Sequence, residues 1–258
     1  MKFPAALASY RTKIEQTLDT VVRITLSAEE TNRFSSKVGG YPYFLAEDAY
    51  PLGEDGQPLR LLTQINFAEI PQVLHDFPQQ GILQFYIHPL DDVMGLDFDN
   101  GKSQKNFRVL YHEKIVDDES KLLTDFAFLE TDEEQYGPLD FDCSYGMTFH
   151  VAEEPMTLSD FRFDQVIGIE DDSYELHDLY FEELETQGHK IGGYPYFTQA
   201  DPREYGDYQE QLILLFQLDT DDDFDIMWGD VGVGNFFISK EDLIHKRFDR
   251  VLYNWDCH

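Results

Sequence analysis

Residues 37–44 read KVGGYPYF and residues 190–197 read KIGGYPYF, the same phrase with one branched apolar residue exchanged for another. Paired glycines admit positive φ or a close backbone approach, and Tyr-Pro holds the tyrosine extended while the proline fixes its own φ. The phrase predicts a rigid bend. Tyr43 and Phe44, or Tyr196 and Phe197, are expected to leave on opposite faces of an extended segment, one into a core and the other toward a groove or solvent.

The match extends beyond the phrase. The shift of 153 places that puts Lys37 on Lys190 also puts Leu61-Leu62-Thr63-Gln64 on Leu214-Leu215-Phe216-Gln217. At 151 places, Gly81, Gln84, Phe85, Tyr86 and Ile87 fall on Gly232, Asn235, Phe236, Phe237 and Ile238, and at 142 places Arg108 to Tyr111 fall on Arg250 to Tyr253. Four blocks in one order imply a tandem duplication. Only two copies occur, and the period is too long for a solenoid. The expected fold is α+β and β-rich, two copies of a mostly antiparallel strand unit with short helices, packed as one globular domain. Copy one spans about 30–115 and copy two about 183–258, joined by an acidic segment of about 116–182.

Short apolar and aromatic runs bounded by turn residues predict strands at 21–26, 59–65, 82–87, 107–111, 147–151, 212–218, 235–238 and 251–253. Leu7, Tyr10, Ile14 and Leu18 share one helical face and predict a helix within 5–18. Ser239 followed by Lys240-Glu241-Asp242 reads as an N-cap. Asn66 precedes a second short helical candidate at Phe67 to Pro71.

The 258 residues hold 19 Lys and Arg against 51 Asp and Glu, a net charge of −32. Such a field repels phosphate backbones and anionic lipid, so nucleic-acid and membrane-surface binding are disfavoured. Residues 116–182 hold 20 of the acids, with Lys121 and Arg162 as their only strong bases. The cysteines are Cys143 and Cys257, too few for a disulfide framework or a thiolate zinc site. No apolar window reaches membrane-span length and the N-terminus lacks a signal-peptide core, so a cytoplasmic protein is expected.

Gln64 and Asn66 alternate onto one face of their strand, as do Gln217 and Asp219. If the copies pack about a pseudo-twofold axis, these four, with Lys37, Lys190, Trp228 and Asp230, would line a polar cleft between them. Asp219, Asp221, Asp223, Asp225 and Asp230 follow the spacing of an EF-hand loop. Phe224 occupies the required glycine position and the last ligand is Asp rather than Glu, so no metal and no cofactor are expected and an acidic turn is preferred. Zinc-hydrolase, nucleophile-elbow and phosphate-loop motifs are missing, and the terminal Cys257-His258 pair lacks partners.

The joined motifs KVGGYPYF and KIGGYPYF, LLTQINFAEIP at 61–71, GILQFYI at 81–87, MWGD at 227–230, GNFFI at 234–238 and VLYNWDC at 251–257 resemble bacterial YwqG-like proteins along nearly the whole chain. The resemblance implies a single domain over 1–258 with an internal duplication and no established catalytic residues. Similar proteins have been proposed as immunity factors in toxin systems. A monomer or weak dimer that neutralises a basic protein through its acidic surface is therefore expected. The alternatives are a small-molecule-binding protein or enzyme using the cleft, and a scaffold without a ligand.

Overall fold

The structure is a computed structural model and describes residues 3–170 and 174–258. Ten strands form one antiparallel sheet: β1 (Asp19–Ser27), β2 (Lys37–Gly39), β3 (Arg60–Asn66), β4 (Ile82–Ile87), β5 (Phe107–His112), β6 (Ser144–Glu154), β7 (Lys190–Gly192), β8 (Ile213–Asp219), β9 (Val233–Ile238) and β10 (Leu252–Asp256). Their order is β10-β9-β8-β7-β1-β6-β2-β3-β4-β5. The two longest strands, β1 and β6, lie at the centre and pair along their length from Asp19–Glu154 to Ser27–Gly146. On either side stands a four-strand wing, β2 to β5 against β6 and β7 to β10 against β1.

The expected α+β, duplicated architecture is corrected by this topology. There are not two packed strand units but one continuous, strand-dominated sheet, with four short α-helices among the described residues: α1 (Arg11–Gln16), α2 (Phe163–Val166), α3 (Tyr174–Leu184) and α4 (Lys240–Ile244). The physical reason lies in the centre. β1 precedes the first repeated block and β6 comes from the acidic segment between the blocks, and their long ladder makes the wings flanks of the same sheet. The helix expected at 5–18 breaks into one 3-10 turn at 5–7 and the six residues of α1.

The sheet curves into a half-barrel that brings its wings face to face. Phe85 of β4 lies 4.6 Å from Phe236 of β9, centroid to centroid, and Phe107 of β5 lies 5.1 Å from Tyr253 of β10. These rings form the main core with Phe216, Trp228, Leu83 and Leu218, each buried apolar side chain contributing about 2 kcal/mol. Each wing carries a bulge at the same place, Leu61/Thr63 in β3 and Leu214/Phe216 in β8. The extra residue of each, Leu62 and Leu215, turns into this core. The edge of β10 is guarded by the loop before β5, where Gly101 O accepts the Tyr253 amide at 2.9 Å.

A second core gathers Leu7, Ile14, Met156, Phe163, Ile167, Tyr180 and Leu184 from α1, α2, α3 and their loops. This helical layer sits against the β7 side, where Tyr194 packs on it. The Ser239 cap is formed as expected: Ser239 Oγ accepts the Asp242 amide. Residues 67–71 form a turn instead of a helix, with Asn66 Oδ1 accepting the Ala68 amide at 3.1 Å. Among the described residues, no helix is long and apolar enough to cross a membrane.

Candidate functional site

Each GGYPYF bend is clamped by a buried amide on its own wing. Gly39 and Gly40 have φ near +70°, the left-handed region that glycine tolerates, and Gly192 and Gly193 match them. Gln64 Oε1 accepts the Tyr43 amide at 2.8 Å, while its Nε2 donates to Arg33 O and Ser35 O. Gln217 Oε1 accepts the Tyr196 amide at 2.8 Å and its Nε2 donates to Gly188 O. Gln84 and Asn235 complete the clamps by donating to Tyr43 O and Tyr196 O. Tyr43 and Phe44 are both buried, as are Tyr196 and Phe197. The expectation that one of each pair faces a groove is therefore corrected. It is Tyr41, one residue before the proline, that stands 45 % exposed.

The expected cleft is not assembled. Gln64 and Asn66 lie under the loop of residues 33–36, which Asn66 also holds by donating to Phe34 O. Gln217 and Asp219 lie under the second wing's loop, where Asp219 Oδ2 accepts the Gly188 amide at 2.7 Å. The phenylalanine core separates the two sets. Trp228 is wholly buried in that core and Asp230 is exposed. The aspartate run does not form a cation loop either. Asp221 accepts the Asp223 amide and pairs with His189 at 3.1 Å, Asp225 adopts φ +52°, and no metal-competent cluster exists among the described residues. His189 Nδ1 accepts the Asp219 amide, and burial lowers its pKa, so it is a neutral ring bridging the run.

The two lysines of the repeated phrase meet opposite environments. Lys190 is fully buried, opposite Arg23 of β1 in the ladder, and its Nζ reaches Glu154 at 3.5 Å and Thr186 O at 2.7 Å. Arg23 also bonds Glu154, so one carboxylate serves two cations. Burial lowers the Lys190 pKa while Glu154 and Glu185 oppose the shift. Glu185, accepting from the Leu158 amide and Ser159, is itself pushed up by burial to about 7. Tyr194, the counterpart of Tyr41, is covered by the helical layer and donates to Thr17 O.

Lys37 is also buried, at 3 % exposure, but its Nζ donates only to backbone carbonyls, Asn32 O at 3.1 Å and Tyr41 O at 2.6 Å. Among the described residues it has no carboxylate partner. Desolvation, helped by the Arg33 charge, lowers its pKa to about 8. The ladder explains the difference. Lys37 faces Gly146 of β6 where Lys190 faces Arg23 of β1, so its strand neighbour carries no side chain. Thr31, beyond the end of β1, lines the same pocket as Lys37.

Around Lys37 lies a pocket of about 340 Å³, lined by Thr31, Arg33, Tyr41, Phe126, Asp142 and Ser144 among others. Tyr41 stacks on Phe126 at 5.0 Å, giving an aromatic wall, and the Thr31 and Ser144 hydroxyls share a 2.7 Å hydrogen bond. Arg33 Nη1 is buried without an acceptor among the described residues. Asp142 at the rim is engaged by Arg60 at 2.6 Å. The arrangement offers two cations, two hydroxyls and an aromatic face to one small ligand. Lys37 alone of the expected cleft residues lines it. Sequence reading missed Arg33, Tyr41 and Phe126, although Tyr41 stood inside the repeated phrase. Phe126 and Ser144 come from the acidic segment between the matched blocks.

A family model described as a domain of unknown function (DUF1963) matches residues 36–257. No curated protein matches the chain.

Proposed function

The chain belongs to the DUF1963 family, and from that premise we propose that it is a binding protein for a small organic monocarboxylate, held in the Lys37 pocket. The observation that carries this reading is the Lys37 ammonium, set in a pocket wall without a carboxylate partner among the described residues, where Lys190 has Glu154 and the Asp142 of the lining is taken by Arg60. A buried ammonium without a carboxylate is an unbalanced charge that a ligand anion stabilises. The protein's negative field disfavours polyanions, and the Tyr41–Phe126 wall favours a planar or apolar body. Location in the cytoplasm and membership of the bacterial YwqG-like group belong to the same proposal.

Calorimetric titration with benzoate, with inorganic phosphate as the comparison anion, tests it. Wild type is expected to bind benzoate more tightly than phosphate. Lys37→Met removes one charge-assisted hydrogen bond and should weaken binding at least about tenfold. Thr31→Glu places a carboxylate in the lining of the same pocket and should do the same. Because the anion stabilises the ammonium, affinity should fall as pH rises through about 8. Equal affinity in all three proteins, or no binding to wild type, refutes the reading.

A second reading, docking of a basic protein, is favoured by exposed Phe128 and Tyr136 flanking exposed Glu130, Asp132, Glu133 and Glu134. Apolar anchors within acidic surface suit such a partner. Association of this kind would weaken steeply with salt and be indifferent to Lys37→Met.

A further inference from the structure

The surroundings of the Lys37 nitrogen point beyond binding. Beyond Cε, Nζ has three tetrahedral positions, and two are directed at neutral acceptors, Asn32 O and Tyr41 O. A neutral amine satisfies both carbonyls with its two N–H groups and carries its lone pair in the third position. Lys190 differs, because the Glu154 carboxylate beside it, with Glu185, favours its charged form. Lys37 thus combines a pocket, neutral acceptors and a neighbouring guanidinium. These are the conditions under which a lysine becomes a nucleophile.

We propose that Lys37 condenses with 2-oxo acids to form an imine, with Arg33 holding the substrate carboxylate. The proposal rests on the carboxylate-binding reading of the pocket and names its ligand class. The nitrogen lone pair attacks the carbonyl carbon, forming the C–N bond. The π electrons of C=O pass to the oxygen, which takes up a proton released by the nitrogen. The carbinolamine oxygen then takes a second proton and leaves as water when the C–O bond breaks. The product is the protonated imine. Written as ammonium plus oxo acid, the change is the release of one water, with no oxidant or reductant. The iminium retains one N–H for the two carbonyls. The Thr31 and Ser144 hydroxyls, bonded to each other in the same pocket, are the groups placed to relay the proton toward the leaving oxygen. The lowered Lys37 pKa supports this chemistry by raising the share of free amine near neutrality.

Reductive trapping of the intact protein tests the proposal. Wild type is incubated with glyoxylate and cyanoborohydride at pH 7, and the carboxymethylated lysines are mapped by peptide mass spectrometry. Lys37 should be labelled at least about tenfold faster than any other lysine, since an ordinary lysine near 10.4 holds far less free amine at that pH. Benzoate should protect Lys37 selectively. Thr31→Glu, which keeps the lysine but supplies a counter-charge, should reduce labelling toward that of the other lysines. Lys37→Met should abolish the major adduct. Uniform labelling in a protein that still binds benzoate overturns the imine proposal and leaves the binding reading intact. Uniform labelling without benzoate binding overturns both.

Discussion

Glu154→Ala is expected to be among the most destabilising substitutions in the chain, with a loss of about 3–5 kcal/mol in urea unfolding. The carboxylate is buried and shared by Lys190 and Arg23. It also bonds the Thr186 hydroxyl, which in turn lies 3.3 Å from the Lys190 amine. Removing it leaves the Lys190 ammonium buried, with the neutral Thr186 O and Thr186 hydroxyl as its remaining acceptors. Most of the loss is the penalty for that orphaned charge rather than the net worth of the pair. Glu154→Leu combined with Lys190→Met should therefore recover much of the stability, giving a coupling energy well above experimental error in a double-mutant cycle. A loss under 1 kcal/mol for the single variant would show that Lys190 does not depend on Glu154.

The second large effect separates two residues that the sequence makes equivalent. Gly39→Ala and Gly192→Ala both place a Cβ at φ above +70° or close to it, a backbone cost of about 1–2 kcal/mol. The surroundings differ. A Cβ on Gly39 would come within 2.4 Å of Cys143 O, a backbone atom that cannot move alone, whereas on Gly192 its nearest neighbour is the Leu74 Cδ2 at 3.2 Å. Gly39→Ala should cost about 3 kcal/mol or more and Gly192→Ala about 1–2 kcal/mol. Equal costs from thermal or urea unfolding would mean that the Cys143 loop is not packed against the first bend as described.

Most strands were legible because their signals are local. Ile82–Ile87 is a short apolar run ended by turn residues, and the matched phrases brought Lys37 and Lys190 to corresponding ladder positions, opposite Gln64 and Gln217. The centre was not legible. β6 reads SYGMTFHVAEE, with polar and apolar residues mixed and all but Glu154 partly or fully exposed, so only 147–151 suggests a strand, and nothing local says that it pairs with β1 across more than a hundred residues. The three-residue strands β2 and β7 are too short for any periodicity. Strand alternation places Gln64 and Asn66 on one face but does not say which face. The bulges and the curvature of the sheet decide that, and they set the glutamines outward under their own loops. The asymmetry of the two lysines depends on Glu154, which partners Lys190 and lies outside the matched blocks, so the blocks themselves carry no sign of it.

The most direct test of the account is an NMR pH titration of the Lys37 amine, with its resonance assigned by its loss in Lys37→Arg. A midpoint near 8 is expected in the free protein, rising when benzoate fills the pocket because the bound anion favours the ammonium. A midpoint at the ordinary lysine value of about 10.4, unchanged by benzoate, would contradict the claim that Lys37 is a desolvated cation awaiting an anionic ligand.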